Sequence, residues 1–230
     1  MQSLTKDYRA IVFGSSGGIG AGFVEQLKQD PHCGEVIGLS RSTDPGFDLT
    51  DEASIAALAQ ALDGEFHLVV VATGILSDEM ISPEKALRAL EPGNLSKLFE
   101  INAIGPAMIM KHFSKKLPRD QRSIMAVLSA RVGSIGDNGL GGWYSYRASK
   151  TALNMLMKCT AIEVGRLKPE AVIASLHPGT VVTSLSEPFA SDRERLDPET
   201  STSMMLQVLD GLGPDETGSF WDYKGERVEW

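Results

Sequence analysis

Short apolar segments alternate with longer amphipathic ones from one end of the chain to the other. Apolar residues at consecutive positions indicate strands buried on both faces, as in a parallel sheet covered by helices. We expect a further short strand just before Asp48. The segments that read as buried strands are residues 8–13, 35–39, 67–72, 123–129 and 171–177.

The segments between these strands have helical length and pattern. Asp51 followed by Ser54, and Ser82 before Pro83, are typical helix starts. Strand and helix alternate so regularly that we predict one α/β domain over residues 1–230, with a doubly wound parallel sheet of the Rossmann type. We expect the aromatic tail, residues 220–230, to pack on the sheet edge or on a partner subunit. The predicted helices are residues 18–29, 51–62, 94–116 and 145–167, with a shorter one near 202–212.

Composition narrows the class of protein. The net charge of -8 argues against binding to a nucleic acid backbone. Cys33 and Cys159 have no metal-ligand spacing with the four histidines, so we predict no metal site. No apolar run approaches the roughly 18 residues that a membrane span needs, and the N-terminus lacks an apolar signal core. We therefore expect a soluble cytoplasmic protein with no membrane partner.

A glycine-rich turn follows the first predicted strand and opens a helix: Gly14-Ser-Ser-Gly-Gly-Ile-Gly20. Glycine removes the Cβ atoms that would keep a pyrophosphate away from backbone N–H groups, and the helix N-terminus adds partial positive charge. The turn therefore predicts a dinucleotide site, although a glycine-rich turn without a ligand is the alternative. The candidate contacts are Gly14, Ser16, Gly18, Ile19 and Gly20.

The second strand ends next to Arg41, where an NAD site usually has an acidic residue for the ribose 2′-hydroxyl. An arginine there can pair with a 2′-phosphate, so we predict a preference for NADP(H). NAD(H) is the alternative, since Ser40 or Ser42 could bind a ribose hydroxyl. Asp48, followed by Leu49, is a candidate for the adenine amino group or for a helix cap.

Tyr146 and Lys150 begin the long helical segment and are four residues apart, which places them on one helix face. A nearby ammonium lowers the pKa of a tyrosine and makes its hydroxyl a usable general acid or base. A single Tyr/Lys pair is also common on helix surfaces, so its meaning depends on the other motifs.

The motifs taken in order resemble the short-chain dehydrogenase/reductase family over nearly the whole chain. The ordered set is the glycine turn, then Tyr146 with Lys150, then Pro178-Gly179 followed by Thr183. The run from Val132 to Asn138 and the tail Asp222-Tyr-Lys-Gly are similar to a compact subgroup that includes C-factor proteins and sniffer-type carbonyl reductases.

The resemblance implies hydride transfer between a nicotinamide cofactor and a small or medium carbonyl or alcohol substrate. In that family Tyr146 would exchange a proton with the substrate oxygen, and Lys150 would hold the nicotinamide ribose. Asn102 would support a water-mediated proton path, or else satisfy a helix irregularity. Gly74 would let the backbone approach the cofactor. The expected nicotinamide contacts are Pro178, Gly179, Val181 and Thr183.

Two departures from the family pattern affect these expectations. The run Val71-Ala-Thr-Gly74 replaces the usual Asn-Asn-Ala-Gly. Ala130 stands where the family has its catalytic serine, so we predict Ser129 as the hydroxyl that binds the substrate oxygen. Ser134, or no serine at all, is the alternative.

The remaining expectations concern substrate access and partners. Residues 184–198, with Asp192, Arg193, Glu194 and Arg195, would form a short substrate lid or a solvated loop. Trp143 and Tyr144 are candidates for the pocket wall. A homodimer or homotetramer is expected from the family. A redox-sensing NADP(H)-binding protein with weak catalysis is the main alternative function, and a dehydratase or epimerase on the same fold is a further one.

Overall fold

The computed structural model describes residues 1–183, 185–187 and 195–230. All paired strands in this part of the chain are parallel and form one sheet in the order β2-β1-β3-β4-β5-β6. The predicted doubly wound α/β fold is confirmed. The strands are β1 (Tyr8–Phe13), β2 (Cys33–Leu39), β3 (Leu68–Val71), β4 (Ser123–Leu128), β5 (Ala171–His177) and β6 (Ser219–Asp222). The helices are α1 (Gly18–Gln29), α2 (Glu52–Ala61), α3 (Pro92–Phe99), α4 (Gly105–Phe113), α5 (Tyr144–Leu167) and α6 (Pro198–Gly211).

Helices cover both faces of the sheet, which explains the consecutive apolar residues of the strands. Alternate strand side chains point to opposite faces. In β1, Ile11 and Phe13 pack with α2, α4 and α5, whereas Ala10 and Val12 pack with α1 and α6. Within the described ranges, no helix is long and apolar enough to cross a membrane.

The short strand expected before Asp48 is wrong. The chain turns there instead: Asp44 Oδ1 accepts a hydrogen bond from the Gly46 N–H at 2.9 Å, and the Phe47 N–H donates to the Asp44 carbonyl at 3.0 Å. The Phe47 side chain is buried in the core. Pro45 and Gly46 favour a turn, and β2 is therefore the edge strand on this side.

The helix predicted over residues 94–116 is interrupted. A π-helical turn, Glu100–Ile104, separates α3 from α4, and a 3₁₀ turn, Ser114–Lys116, follows α4. Pro106 has no N–H to bond with the Asn102 carbonyl, and the Gly105 N–H donates to Glu100, five residues back. The π turn thus ends directly before Pro106, which lies in the first turn of α4.

Two helix-start predictions have different outcomes. Asp51 caps α2 as expected, because its Oδ1 accepts a hydrogen bond from the Ala53 N–H at 2.9 Å. Ser82 and Pro83 start no helix. The next α-helix begins at Pro92, after a single 3₁₀ turn over Leu87–Ala89.

The aromatic tail completes the far edge of the sheet. β6 pairs with β5, and Phe220 is fully buried there. The rings of Phe220 and Trp230 stack with centroids 5.8 Å apart. Of the two alternatives for this tail, packing on the sheet edge is confirmed.

Candidate active site

The predicted site residues lie at the carboxyl ends of the strands, where ligands of open α/β sheets bind. Gly14 directly follows β1 with φ +85°, and a Cβ there would lie 2.8 Å from the Ala72 carbonyl oxygen. A Cβ on Gly20 would overlap the Gly14 carbonyl oxygen. Both glycines are therefore required for the turn that leads into α1.

The backbone N–H groups in the first turn of α1 point toward the glycine-rich loop. Gly17 is the N-cap residue, and the first intrahelical bond runs from the Ala21 N–H to the Gly17 carbonyl at 2.8 Å. Ser16 is exposed beside these donors, while Ile19 packs toward the core on the α1 and α6 face. The N–H groups and the exposed hydroxyl are suited to phosphate oxygens.

The glycine turn and the Pro178-Gly179 segment lie together. A Cβ on Gly18 would lie 2.9 Å from Thr183 Cγ2. Gly179 has φ +81°, and a Cβ there would lie 2.8 Å from the Tyr223 ring. The Pro178 carbonyl accepts a hydrogen bond from Ser201 Oγ at 2.7 Å, which ties the segment to α6.

Val181 is buried and forms a β-bridge with Leu196, so the segment before the predicted lid lies beside the end of the lid. Within the predicted lid, residues 184 and 188–194, including Asp192, Arg193 and Glu194, lie outside the described ranges. Arg195 is described and is exposed.

Arg41 is exposed after β2 and lies near Asp48. The pKa of Asp48 is lowered mainly by hydrogen bonds from the Thr50 N–H and hydroxyl, and less by the positive charge of Arg41. Asp48 does not cap α2, because Asp51 does, so that alternative is wrong. Leu49 lies against the start of α4, where a Cβ on Gly105 would be 2.8 Å from the Leu49 carbonyl oxygen.

Tyr146 and Lys150 lie one turn apart on α5 and are both buried, with 8% and 4% of their surface exposed. Lys150 Nζ donates a hydrogen bond to the Leu128 carbonyl at the end of β4, at 2.9 Å. Burial raises the pKa of Tyr146 to about 12 and lowers the pKa of Lys150 to about 8. The lowered Tyr146 pKa that the sequence predicts is therefore wrong for the chain by itself, because burial of the phenol raises its pKa.

Asn102 lies within the π turn and is fully buried. Its Oδ1 accepts a hydrogen bond from the Ile75 N–H at 2.8 Å, and its Nδ2 donates to the Ile75 carbonyl at 2.9 Å. Nδ2 also lies 3.1 Å from Ser149 Oγ. The side chain thus joins the loop after β3 to α5, rather than satisfying the irregular helix that contains it.

Gly74 lies between the side chains of Asn102 and Lys150. It has φ +156°, and a Cβ there would lie 3.1 Å from Asn102 Oδ1 and 3.2 Å from Lys150 Nζ. A larger residue would crowd both the amide and the ammonium group. The structure therefore brings Asn102, Gly74 and Lys150 together as the sequence predicts.

The three positions considered for a substrate-binding serine differ in their surroundings. Ser129 is buried, and its Oγ has no hydrogen-bond partner among the described residues. Ala130 packs against the apolar cluster that contains Tyr146. Ser134 Oγ accepts a hydrogen bond from the Asp137 N–H at 3.0 Å and so stabilises a turn. Of the two serines, only Ser129 has an unpaired hydroxyl.

Aromatic and apolar side chains form the wall beside Tyr146. The Trp143 and Tyr146 rings meet edge to face with centroids 6.2 Å apart, and Tyr144 is partly exposed. Among the residues that the structure describes, no cluster of His, Cys, Asp or Glu is arranged to hold a metal. The rest of the wall consists of Ile75, Leu76, Ile81, Leu98, Ala130 and Val132.

Comparison with known proteins identifies the family of the chain. The family model for short chain dehydrogenases matches residues 43–194. The chain belongs to the short-chain dehydrogenase family. It is thus an oxidoreductase, and the predicted family and fold class are confirmed.

Individual relatives in this family cover most of the chain. The chain is 36% identical to the C-signal protein of Myxococcus xanthus, over 63% of this chain and 84% of that protein. It is 31% identical to 1-hydroxy-2-glutathionyl-2-methyl-3-butene dehydrogenase of Rhodococcus sp. (strain AD45), over 82% of this chain and 80% of that protein.

Solved short-chain dehydrogenase structures have the same architecture. The NADPH-bound carbonyl reductase from chicken fatty liver superposes with a TM-score of 0.84 at 25% identity, over 98% of this chain and 95% of that chain. The carbonyl reductase Sniffer of D. melanogaster gives a TM-score of 0.80 at 23% identity, over 98% of this chain and all of that chain.

One buried charged residue next to the site was missed by sequence reasoning. Glu84 is 4% exposed, and its carboxylate accepts hydrogen bonds from the N–H and hydroxyl of Ser145. The two residues are 61 positions apart, and no local motif marks Glu84. Only the folded chain shows the contact.

We predict that Lys150 makes the free energy of unfolding rise with pH between about 8 and 10.5. Below about 8 both states carry the proton and the folded state bears the full desolvation cost. Between its folded pKa of about 8 and its ordinary value of 10.5, the unfolded state binds more protons, so stability increases with pH. Tyr146 acts oppositely above pH 10, where the unfolded state loses its proton first.

Urea denaturation without added cofactor, from pH 7 to 10, tests this. Lys150→Met should remove a slope that approaches about 1.4 kcal/mol per pH unit. The exposed Lys28→Met is the matched control and should keep the wild-type slope. Parallel pH curves for wild type and Lys150→Met would contradict the prediction.

Proposed function

We propose that the chain, as one dinucleotide-binding domain, is an NADP(H)-dependent carbonyl reductase or alcohol dehydrogenase. The observation that carries the proposal is the burial of Tyr146 and Lys150 on one face of α5. Both lie at the carboxyl end of the sheet, where the glycine turn also lies. A buried phenol and a buried ammonium are costly unless a function retains them.

The residues at the carboxyl ends of the strands fit a dinucleotide. The N–H groups of the first turn of α1 are suited to the pyrophosphate, and Arg41 to a 2′-phosphate. Lys150 uses one N–H for the Leu128 carbonyl, which leaves donors for ribose hydroxyls. Gly74 has no side chain that would crowd Lys150 Nζ. When bound, the reduced cofactor supplies the hydride that converts a carbonyl into an alcohol.

The chain's own residues supply the proton and the orientation. Tyr146 donates the phenolic proton to the carbonyl oxygen during reduction and accepts it back during oxidation. The charge of Lys150 stabilises the phenolate that remains. Asn102 fixes the loop at Ile75 against α5, and Ser129 is the hydroxyl that we assign to the substrate oxygen.

The apolar wall beside Tyr146 supports a small or medium carbonyl compound with an apolar body. Ala130, Val132 and Trp143 contribute no carboxylate or ammonium to it. The NADPH-bound state of the chicken fatty liver enzyme supports NADP(H) as the cofactor. NAD(H) is kept as the weaker alternative.

Two further parts of the proposal concern the setting of the enzyme. A homodimer or homotetramer is supported by apolar side chains exposed on or beside α4 and along α5. A cytoplasmic location, which the composition predicts, is kept with it. The exposed apolar residues are Ile104, Met155, Leu156, Ile162 and Leu167.

Replacement of Tyr146 by phenylalanine should abolish turnover. Without the hydroxyl, general acid catalysis is lost, and kcat should fall by about 10²–10⁴ while NADPH still binds. The assay follows NADPH absorbance with a panel of aldehydes, ketones and quinones. Tyr8→Phe removes a buried hydroxyl far from the site, bonded to Asp30, and should leave kcat unchanged. Tight NADPH binding with background turnover of every carbonyl would instead favour the redox-sensing function.

Replacement of Arg41 by alanine should weaken NADPH binding about tenfold or more and leave NADH binding nearly unchanged. A charge-assisted hydrogen bond to the 2′-phosphate contributes about 1.5–3 kcal/mol, and NADH has no such phosphate. Dissociation constants from fluorescence titration measure the effect, with the exposed Arg166→Ala as the control. Equal losses for both cofactors would reject the 2′-phosphate role.

Replacement of Ser129 by alanine should lower kcat about 10²-fold without changing NADPH affinity, since a donor to the substrate oxygen is removed. Ser134→Ala is the matched control, because that hydroxyl stabilises a turn. Unchanged kcat in both variants would show that neither serine orients the substrate.

A further inference from the structure

The N-terminus of α5 needs acceptors that its own sequence does not provide. The first N–H groups of any helix have no intrahelical partner. Trp143, the N-cap residue, has φ +51° and makes no side-chain capping bond. The first intrahelical bond runs from the Arg147 N–H to the Trp143 carbonyl at 2.9 Å. Tyr146 lies inside this first turn, so whatever fixes the turn also fixes Tyr146.

Glu84 provides the missing acceptors from a distant loop. Its Oε2 accepts a hydrogen bond from the Ser145 N–H at 3.2 Å, and its Oε1 accepts one from the Ser145 hydroxyl. Its backbone carbonyl accepts a third bond from the Trp143 N–H at 2.5 Å. One residue therefore holds both ends of the three-residue segment from Trp143 to Ser145, directly before Tyr146.

The burial of Glu84 makes these bonds consequential. Glu84 is 4% exposed, and Ser145 is fully buried. An isolated buried carboxylate is strongly unfavourable, but here the N–H, the hydroxyl and the positive end of the helix surround it. Without the carboxylate, the donors of Ser145 would stay buried and unpaired, which costs more than an exposed cap.

The loop that carries Glu84 is itself anchored at its other end. Asp78 forms an ion pair with Lys97 of α3 at 2.6 Å and accepts a hydrogen bond from the Ile81 N–H at 2.9 Å. Ile81 is buried in the same apolar cluster as Tyr146. The loop therefore connects α3 to the start of α5 and forms part of the wall beside the phenol.

We propose that Glu84 is a positioning residue for the reaction, acting through Ser145 to hold Tyr146 where its proton can be transferred. The inference rests on the proposed function, since it concerns the same phenol. Glu84 itself touches Ser145 and the Trp143 backbone, not the reacting atoms.

The test compares Glu84→Ala and Glu84→Gln with wild type. Small displacements of a catalytic group cost up to about 10² in rate, so we expect kcat to fall about ten- to a hundredfold in Glu84→Ala. Glu84→Gln keeps an acceptor for the Ser145 N–H and should lose less. NADPH affinity should not change in either variant, because Glu84 lies outside the predicted cofactor contacts.

Asp210 offers a matched control on the other face of the sheet. It accepts hydrogen bonds from the Ser3 N–H at 2.8 Å and the Ser3 hydroxyl at 2.6 Å, the same pair of donors that Glu84 binds. Asp210→Ala should lower stability while leaving kcat unchanged. An equal fall in kcat for Asp210→Ala and Glu84→Ala would mean general destabilisation and would overturn the proposal.

Hydrogen exchange separates the failure of this inference from the failure of the proposed function. Amides of residues 144–147 should exchange faster in Glu84→Ala, to a smaller extent in Glu84→Gln, and not in Asp210→Ala. If wild type reduces no carbonyl, the proposed function fails, whereas unchanged exchange at these amides overturns the positioning role. Wild-type kcat in a folded Glu84 variant also overturns it. If Glu84→Ala does not fold, the same two readouts on Glu84→Gln decide.

Discussion

The position of α5 against the sheet is the constraint on which the site depends. Leu153, Met157 and Ala161 bury one face of the helix on the strands, and this packing carries Lys150 to the end of β4. The ammonium there must find an acceptor, and the Leu128 carbonyl provides one. Apolar packing of α5 thus places a charged group at the carboxyl end of the sheet, where ligands of such sheets bind. The same desolvation that lowers the pKa of Lys150 also lowers the stability of the folded chain, which is typical of functional sites.

A second set of polar contacts fixes the loop after β3 against α5. Asn102 binds both backbone groups of Ile75, and its Nδ2 also meets Ser149 of α5. Asn102 lies within the π turn that separates α3 from α4, and its side chain is fully buried. A local defect in one helix therefore connects the loop after β3 with α5. Gly74 lies between the two polar groups, and a side chain there would crowd both of them.

Much of this arrangement was predictable from the sequence because it depends on local patterns. Consecutive apolar residues gave the buried strands, and the glycine spacing gave the turn before α1. The four-residue spacing of Tyr146 and Lys150 placed both on one face. Missing were features set by distant contacts or by one residue. Pro45 and Gly46 form a turn where a strand was expected, the π turn interrupts a predicted helix, and Glu84 meets Ser145 only after folding.

The absence of a hydroxyl at Ala130 changes what the rest of the site must do. Under the proposed function, Ser129 and Tyr146 then supply the donors to the substrate oxygen, so the placement of Tyr146 becomes more important. Ala130 packs in the same apolar cluster as Tyr146, so the cluster itself orients the ring. The Glu84 carboxylate fixes the backbone on the other side. Packing on one side and capping on the other thus fix the orientation of the phenol on which the proposed proton transfer depends.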